Sequence, residues 1–287
     1  MVERNVPSSS VVIGIDGSRN AVRAALWGVD EAVSRDVPLR LICVIAPDDA
    51  MQHDPQSKAR KLAAAELAIR YAVTAVESTE QLVKFEAEII PGPPIRTLVD
   101  ASRSATMLCV GEVGITLRAA GRVGSTAASL ASSAHCPVAI IRARDYPPAD
   151  RGAILAYVST SADHRPVLEA AFEEARLRGM RLLAVTAWQS RFGDVHDSGF
   201  GAEGKRQVHA ELERQLECWV HRYPDLEVSS EVVYGRLLDH LTENVDSVRL
   251  VVIGTQDCDA TRFGGHAAHA VLQSAGCSVL IVSSAQL

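Results

Sequence analysis

The chain has 287 residues, of which 47% are hydrophobic and 22% charged, and a formal net charge of −6. That length suits two α/β units of average size, and that apolar content is enough for a buried core. The acidic balance argues against broad nucleic-acid binding, and the apolar runs are strand-sized, far short of the roughly 20 residues that span a bilayer.

The first ten residues carry Glu3 and Arg4 and no apolar stretch, so no secretory signal is expected and the protein is expected in the cytoplasm. Val11 to Ile15 reads as a strand that ends in the polar turn Asp16-Gly17-Ser18 and opens a helix over Asn20 to Ser34. A strand at Leu39 to Ile45 follows, then a helix at Ser57 to Ser78, with Leu62, Ala65, Ile69, Ala72, Val73 and Val76 on its packing face. The basic residues Lys58, Arg60, Lys61 and Arg70 are read as that helix's solvated side. Next come a strand at Val83 to Ile90, a helix at Pro94 to Arg103 and a strand at Met107 to Val110. A helix at Ser125 to Ala134 and a strand at Val138 to Ile141 close the first half. The runs are continuous rather than alternating, as in parallel strands covered by helices on both faces. Right-handed crossovers then give a doubly wound, Rossmann-like sheet.

Between the fourth strand and its helix stand Gly111, Gly114 and Gly124-Ser125, a G-x2-G-x9-G-S pattern. Glycine backbones approach an anion closely, and a helix start adds unpaired N–H donors and the positive end of its dipole, so the pattern reads as a phosphate cradle. If the first and fourth strands are neighbours, this loop converges with Asp16, because ligands in open α/β sheets sit where the strand order reverses. Asp16 can accept a hydrogen bond from a sugar hydroxyl or a ring amine, or it can cap the following turn. Ser125 can both cap its helix and donate to phosphate, and Arg118 and Arg122 lie in the same loop. Glu112 works against an anion unless its side chain turns away.

The second half repeats the first. Ser133 to Ile141 is echoed by Ser274 to Val282, Met107 to Gly111 by Leu250 to Gly254, Ile89 to Gly92 by Val232 to Gly235, and Leu41 to Val44 by Leu182 to Val185. Residues 144 to 151, with Pro147 and Pro148, have a linker's composition and separate a domain at 1–145 from one at 151–287. The repeat is imperfect at the loop. Gly254 precedes Thr255-Gln256-Asp257 instead of a second glycine, Gly265 comes early, His266 replaces Ser125, Asp259 adds a carboxylate, and Val158 is expected at the position of Asp16. Carboxylates facing a triphosphate repel it, so this half is expected to have lost nucleotide binding or to bind weakly.

The chain resembles a tandem universal stress protein, on the strength of Val-Ile-Gly-Ile-Asp-Gly-Ser at 12–18, the Gly111/Gly114/Gly124-Ser125 signature and Cys136-Pro137-Val138. The resemblance implies two five-stranded parallel sheets of order 3-2-1-4-5 and, in the ATP-binding branch of that family, a nucleotide between the first and fourth strands. Carried over by position, Ile15 and Asp16 meet the adenine and ribose side, and Val44 lines the adenine. Gly111, Gly114, Gly124, Ser125 and Thr126 wrap the ribose and phosphates. The implied ligand is ATP, with or without Mg²⁺, in a stress-response regulator whose occupancy changes conformation or choice of a regulated protein partner. A homodimer, or pairing within the chain through Val138–Ile141 and Val279–Val282, is also implied. A scaffold without nucleotide and a slow ATPase are the other readings.

No catalytic residue is expected, because the chain has no G-x-S-x-G elbow and no G-x4-G-K-[ST] loop. No metal set is expected either: His266, His269 and Cys277 lack a fourth ligand, and Asp194, His196 and Asp197 offer too few. The six cysteines form no C-x-x-C pair and are read as buried, reduced thiols.

Overall fold

Val11, Val12 and Ile13 have no solvent exposure in the computed structural model, as strands covered on both faces require. The structure describes residues 9–47, 55–114, 124–142, 152–159, 163–188, 198–234, 240, 247–258 and 277–283. The chain divides into two units, Met1–Arg144 and Asp145–Leu287.

In the first unit, β1 (Ser10–Ile15) pairs in parallel with β2 (Leu39–Ile45) on one side and β4 (Ala105–Gly111) on the other. β3 (Phe85–Pro91) extends the sheet beyond β2, and β5 (Val138–Ile141) extends it beyond β4. The order is therefore β3-β2-β1-β4-β5, and it reverses between β1 and β4. Helices α1 (Arg19–Ser34) and α2 (Pro55–Glu77) pack together on the sheet, as do α3 (Pro94–Ser102) and α4 (Ser125–Ser133). Right-handed crossovers put the two pairs on opposite faces.

The stripe that α2 buries is Ala65, Ala68, Ala72 and Val76, rotated from the expected face; Leu62 is 45% exposed, and Ile69 and Val73 are only half-buried. A stripe of alanines lets α1 approach closely, so small size rather than apolar bulk selects the packing face. The thiols also split. Cys43, Cys109, Cys136 and Cys277 are buried, but Cys218 is exposed on a helix, which corrects the uniform expectation. Burial raises the Cys136 thiol to about 12, which keeps it protonated and inert.

The second unit has β6 (Ala153–Tyr157), α5 (Arg165–Arg178), β7 (Arg181–Trp188), α6 (Ser198–Arg222), β8 (Val228–Tyr234), β9 (Val248–Gly254) and β10 (Ser278–Val282). Its strands are parallel in the order β8-β7-β6-β9-β10, the order of the first unit. Phe172 of α5 stacks on Trp219 of α6 at 5.7 Å and packs against Tyr223 at 5.3 Å, so aromatic rings join this helix pair where alanines join α1 and α2.

Strand register aligns the two units residue by residue. Leu39 pairs with Phe85 and Leu182 with Val228, and the N–H of each leucine donates to the residue before its partner, Lys84 O and Glu227 O, at 2.8 Å. Leu39 and Leu182 are thus equivalent, a two-residue slide from the expected match of Leu41 with Leu182. Val11 pairs with Leu39 and Ile154 with Leu182, so Gly14 corresponds to Tyr157 and Asp16 to Ser159. The other side of the sheet agrees: Ile13 pairs with Cys109 and Ala156 with Val252, each two residues before Gly111 or Gly254. Ser159, not Val158, therefore stands at the Asp16 position. An uninterrupted apolar run carries no landmark of register, which the ladder hydrogen bonds set.

The repeat also governs the helix ends. Glu31 of α1 pairs with Arg35 at 2.9 Å, and Glu174 of α5 pairs with Arg178 at 2.9 Å, both carboxylates being buried. Each helix then turns through a left-handed residue, Gly179 at φ +60° in the second unit and Asp36 at φ +50° in the first. A side chain in that region is strained by about 1 kcal/mol, a cost that glycine avoids. Asp36→Gly is expected to stabilise the protein by about 0.5 kcal/mol after the extra unfolded-state entropy of glycine, measured as a raised urea midpoint at unchanged slope.

Candidate functional site

Where β1 ends, Ile15 is buried and the chain turns outward through Asp16, Gly17 at φ +83° and Ser18. The Ser18 N–H donates to Asp16 Oδ1 at 2.9 Å, and Ser18 Oγ accepts from the Ala21 N–H at 3.1 Å, capping α1. Asp16 therefore does shape the turn, with one carboxylate oxygen. The other, Oδ2, lies against Gly114: a Cβ there would stand 2.5 Å from it.

Beside it β4 ends at Gly111. A Cβ on Gly111 would meet Asn20 and the Ala21 N at 2.7 to 2.9 Å, so the start of α1 rests directly on this backbone. Asn20 Nδ2 donates to Val113 O at 3.1 Å and ties the glycine loop to α1. Glu112 is pinned by its main chain: its N–H donates to Ile141 O at 2.9 Å, and its carbonyl accepts from Gly124 N–H at 2.8 Å. The Gly124 N–H is thereby engaged within the protein. Gly124 is the N-cap of α4, which no side chain caps, and Ser125 is the first helical residue rather than the cap. The first turn of α4 accordingly presents backbone donors that no capping side chain occupies.

These ends enclose a cavity of about 180 Å³ lined by all eight residues singled out from the sequence, Ile15, Asp16, Val44, Gly111, Gly114, Gly124, Ser125 and Thr126. It has an apolar side and a polar side. Ile42 and Val44 of β2, Val110 of β4 and Leu98 of α3 make the apolar wall; Asp16, Ser18, Glu112 and the start of α4 make the polar one. A flat aromatic base fits the first, and a hydroxylated or anionic group fits the second. Gly14 forms part of the floor, where a Cβ would come within 3.0 Å of Val110 Cγ1 and 3.2 Å of Leu98 Cδ1.

Gly14, Ser18, Ile42, Leu98, Val110 and Glu112 were missed as site residues. Gly14 and Ile42 lie two residues before Asp16 and Val44 on the same strand face, so the period-two rule could have found them. Leu98 comes from another crossover, and no local signal marks it. Burial raises the Glu112 carboxyl above the ordinary value, and Arg142, with Nε at 3.2 Å from Oε2, opposes that rise. Arg118, Arg122, Asp194, His196, Asp197, Asp259, Gly265, His266 and His269 lie outside the described residues. Among the described residues, no group of three or more His, Cys, Asp or Glu side chains is arranged to hold a metal ion.

In the second unit the same crevice is furnished differently. Tyr157, 7% exposed, stands at the Gly14 position, so a buried phenol ring replaces a hydrogen atom there. Ser159 replaces the Asp16 carboxylate, and Gly254 runs straight into the short 3-10 turn Thr255–Cys258.

The fold and crevice together define a doubly wound α/β protein that carries its ligand-type switch point at the carboxyl ends of β1 and β4. Family comparison gives the same architecture a name. The model described as "Universal stress protein family" matches residues 8–142 and again 151–283, and the chain belongs to that family, as a tandem of two such domains. A universal stress protein of Mycobacterium tuberculosis is 46% identical over 280 residues, 97% of both chains, and another from the same species is 40% identical over 275 residues, covering 95% of this chain and 96% of the relative. A crystal structure of a universal stress protein from Archaeoglobus fulgidus matches with a TM-score of 0.71 at 16% identity, covering 96% of each chain, a likeness of fold. No helix among the described residues is long and apolar enough to cross a membrane.

The three signature glycines differ in what they must accommodate. Gly111→Ala is expected to cost about 1–3 kcal/mol by overpacking against the α1 backbone. Gly124→Ala, whose Cβ would come no nearer than 3.4 Å to Glu112 O, is expected to cost less than about 1 kcal/mol. Chemical denaturation of the two variants beside the parent chain checks the contrast.

Proposed function

We propose that the first unit, residues 1–145, binds an adenine nucleotide, and that the ligand is ATP, with or without Mg²⁺. The base lies against Ile42, Val44, Val110 and Leu98, Asp16 Oδ2 accepts from a ribose hydroxyl, and the phosphates meet the Gly111–Gly114 loop and the start of α4. One observation carries this reading: a carboxylate oxygen and an uncapped helix start face the same cavity, whose remaining wall is apolar. The second unit, residues 151–287, is read as a partner domain with a degenerate site, because a bulky Tyr157 stands in place of Gly14 and Ser159 in place of the Asp16 carboxylate.

Occupancy then acts as a signal in the stress response. A ligand that bridges Asp16 and α4 ties together the ends of β1 and β4, and it stabilises whatever arrangement of the glycine loop fits it, which a regulated protein partner can read. Self-association as a homodimer and a cytoplasmic location belong to the same proposal. We assign no catalytic residue to the cavity.

Titration of the full chain with ATP, with and without Mg²⁺, is expected to release or absorb heat with one site per chain and to raise the melting temperature. A ligand at 100 times its Kd adds about 2.7 kcal/mol. Asp16→Ala removes a charge-assisted hydrogen bond of about 1.5–3 kcal/mol and should weaken binding by roughly tenfold or more. Absence of heat at millimolar ATP, together with no nucleotide in the supernatant of the denatured protein, would favour the scaffold reading. Steady ADP release that is lost in Asp16→Ala would favour the slow ATPase.

A further inference from the structure

Glu112 is an unusual occupant of an anion cradle. Its side chain is 7% exposed; Oε2 faces Arg142 Nε at 3.2 Å, and Oε1 is buried with no hydrogen-bond partner among the described residues. Glu112 lines the cavity and Arg142 does not, so the anionic member of the ion pair stands nearer the ligand space than the cationic one. The backbone holds it there, through the main-chain bonds to Ile141 and Gly124. A buried, incompletely satisfied carboxylate costs stability and calls for a donor. The start of α4, a few bonds away through Gly124, has the opposite preference and draws an anion.

We propose that Glu112 is a specificity-determining residue of this site, which ranks ligands carrying the same base by the negative charge of their phosphate chain. The inference rests on the reading that the first unit binds an adenine nucleotide. Each added phosphate brings further negative charge toward a carboxylate that is shielded from water, where such repulsion is screened little. Arg142 offsets part of it. The two residues therefore act in opposite directions on the preference between charged and uncharged ligands, while the apolar wall that holds the base is common to both.

The test is calorimetric titration of the full chain with adenosine, AMP and ATP in buffer free of divalent cations, comparing the parent with Glu112→Gln and Arg142→Gln. Glu112→Gln keeps the shape and the hydrogen-bonding capacity and removes the charge, and it is expected to raise the ratio of ATP affinity to adenosine affinity by about tenfold. Arg142→Gln unshields the carboxylate and is expected to lower the same ratio severalfold. Because Arg142 is partly exposed, this second variant keeps the question open to measurement if Glu112→Gln does not fold. A ratio that moves less than twofold in both variants, or in the same direction in both, overturns the charge selection while leaving nucleotide binding intact. Failure of the parent to bind any of the three compounds overturns the nucleotide reading and this inference with it.

Discussion

The parallel pairing of β1 with β4 is the constraint on which the rest depends. It joins strands that are three apart in chain order, and the crossovers on either side must leave it in opposite directions. The turn after β1 and the loop after β4 therefore emerge side by side, with no helix between them. Gly111 makes the junction tight enough to matter. Without a Cβ there, the start of α1 lies on the end of β4, and Asn20 reaches across to hold Val113. Asp16 and the start of α4 face one cavity as a consequence of sheet topology, since nothing in the local chain brings residues so far apart in sequence together.

The two units show which parts of this arrangement belong to the frame and which to the crevice. Strand order, the buried Glu–Arg pairs at 31/35 and 174/178, and the left-handed turn after each first helix recur in both. The differences gather at the ends of the central strands. Tyr157 takes the place of Gly14, and Ser159 that of Asp16. A side chain pointing into a core must be replaced by one of similar volume, whereas a crevice at a strand end can be filled or left open without disturbing the layers. A tandem chain can in this way keep two copies of one architecture and differentiate them with a few residues.

The cavity also balances opposing demands. Its helix start attracts negative charge, Asp16 already spends one oxygen on the Asx turn that shapes α1, and Glu112 in the cavity wall holds a buried carboxylate paired with Arg142. A glycine-rich loop alone would be a generic anion site. In the proposed reading, the carboxylates beside it make binding depend on where a ligand carries its donors and where it carries its charge.

Much of this was legible in the residues. Continuous Val, Ile and Leu runs between amphipathic stretches predicted every strand and helix of the first unit to within two residues at either end, because hydrophobic periodicity is a local property of the chain. The glycine signature and Asp16 were likewise legible as candidates, since backbone approach and hydrogen-bonding capacity are written in residue type, whereas Ile15 and Val44 came only from the family resemblance. Register was not legible. Val158 looked like the counterpart of Asp16 until the ladder bonds assigned that place to Ser159, and the face of α2 turned toward Ala68 because helix packing rewards close approach as well as bulk. Leu98 joined the cavity from a distant crossover, and Glu112, legible only as a charge in the wrong place, met its partner Arg142 across the β4–β5 pairing. The sequence by itself determined the kinds of elements and the chemistry of the candidate site; tertiary structure alone decided which side chains share a space, because proximity between distant residues arises only when strands pair and layers close.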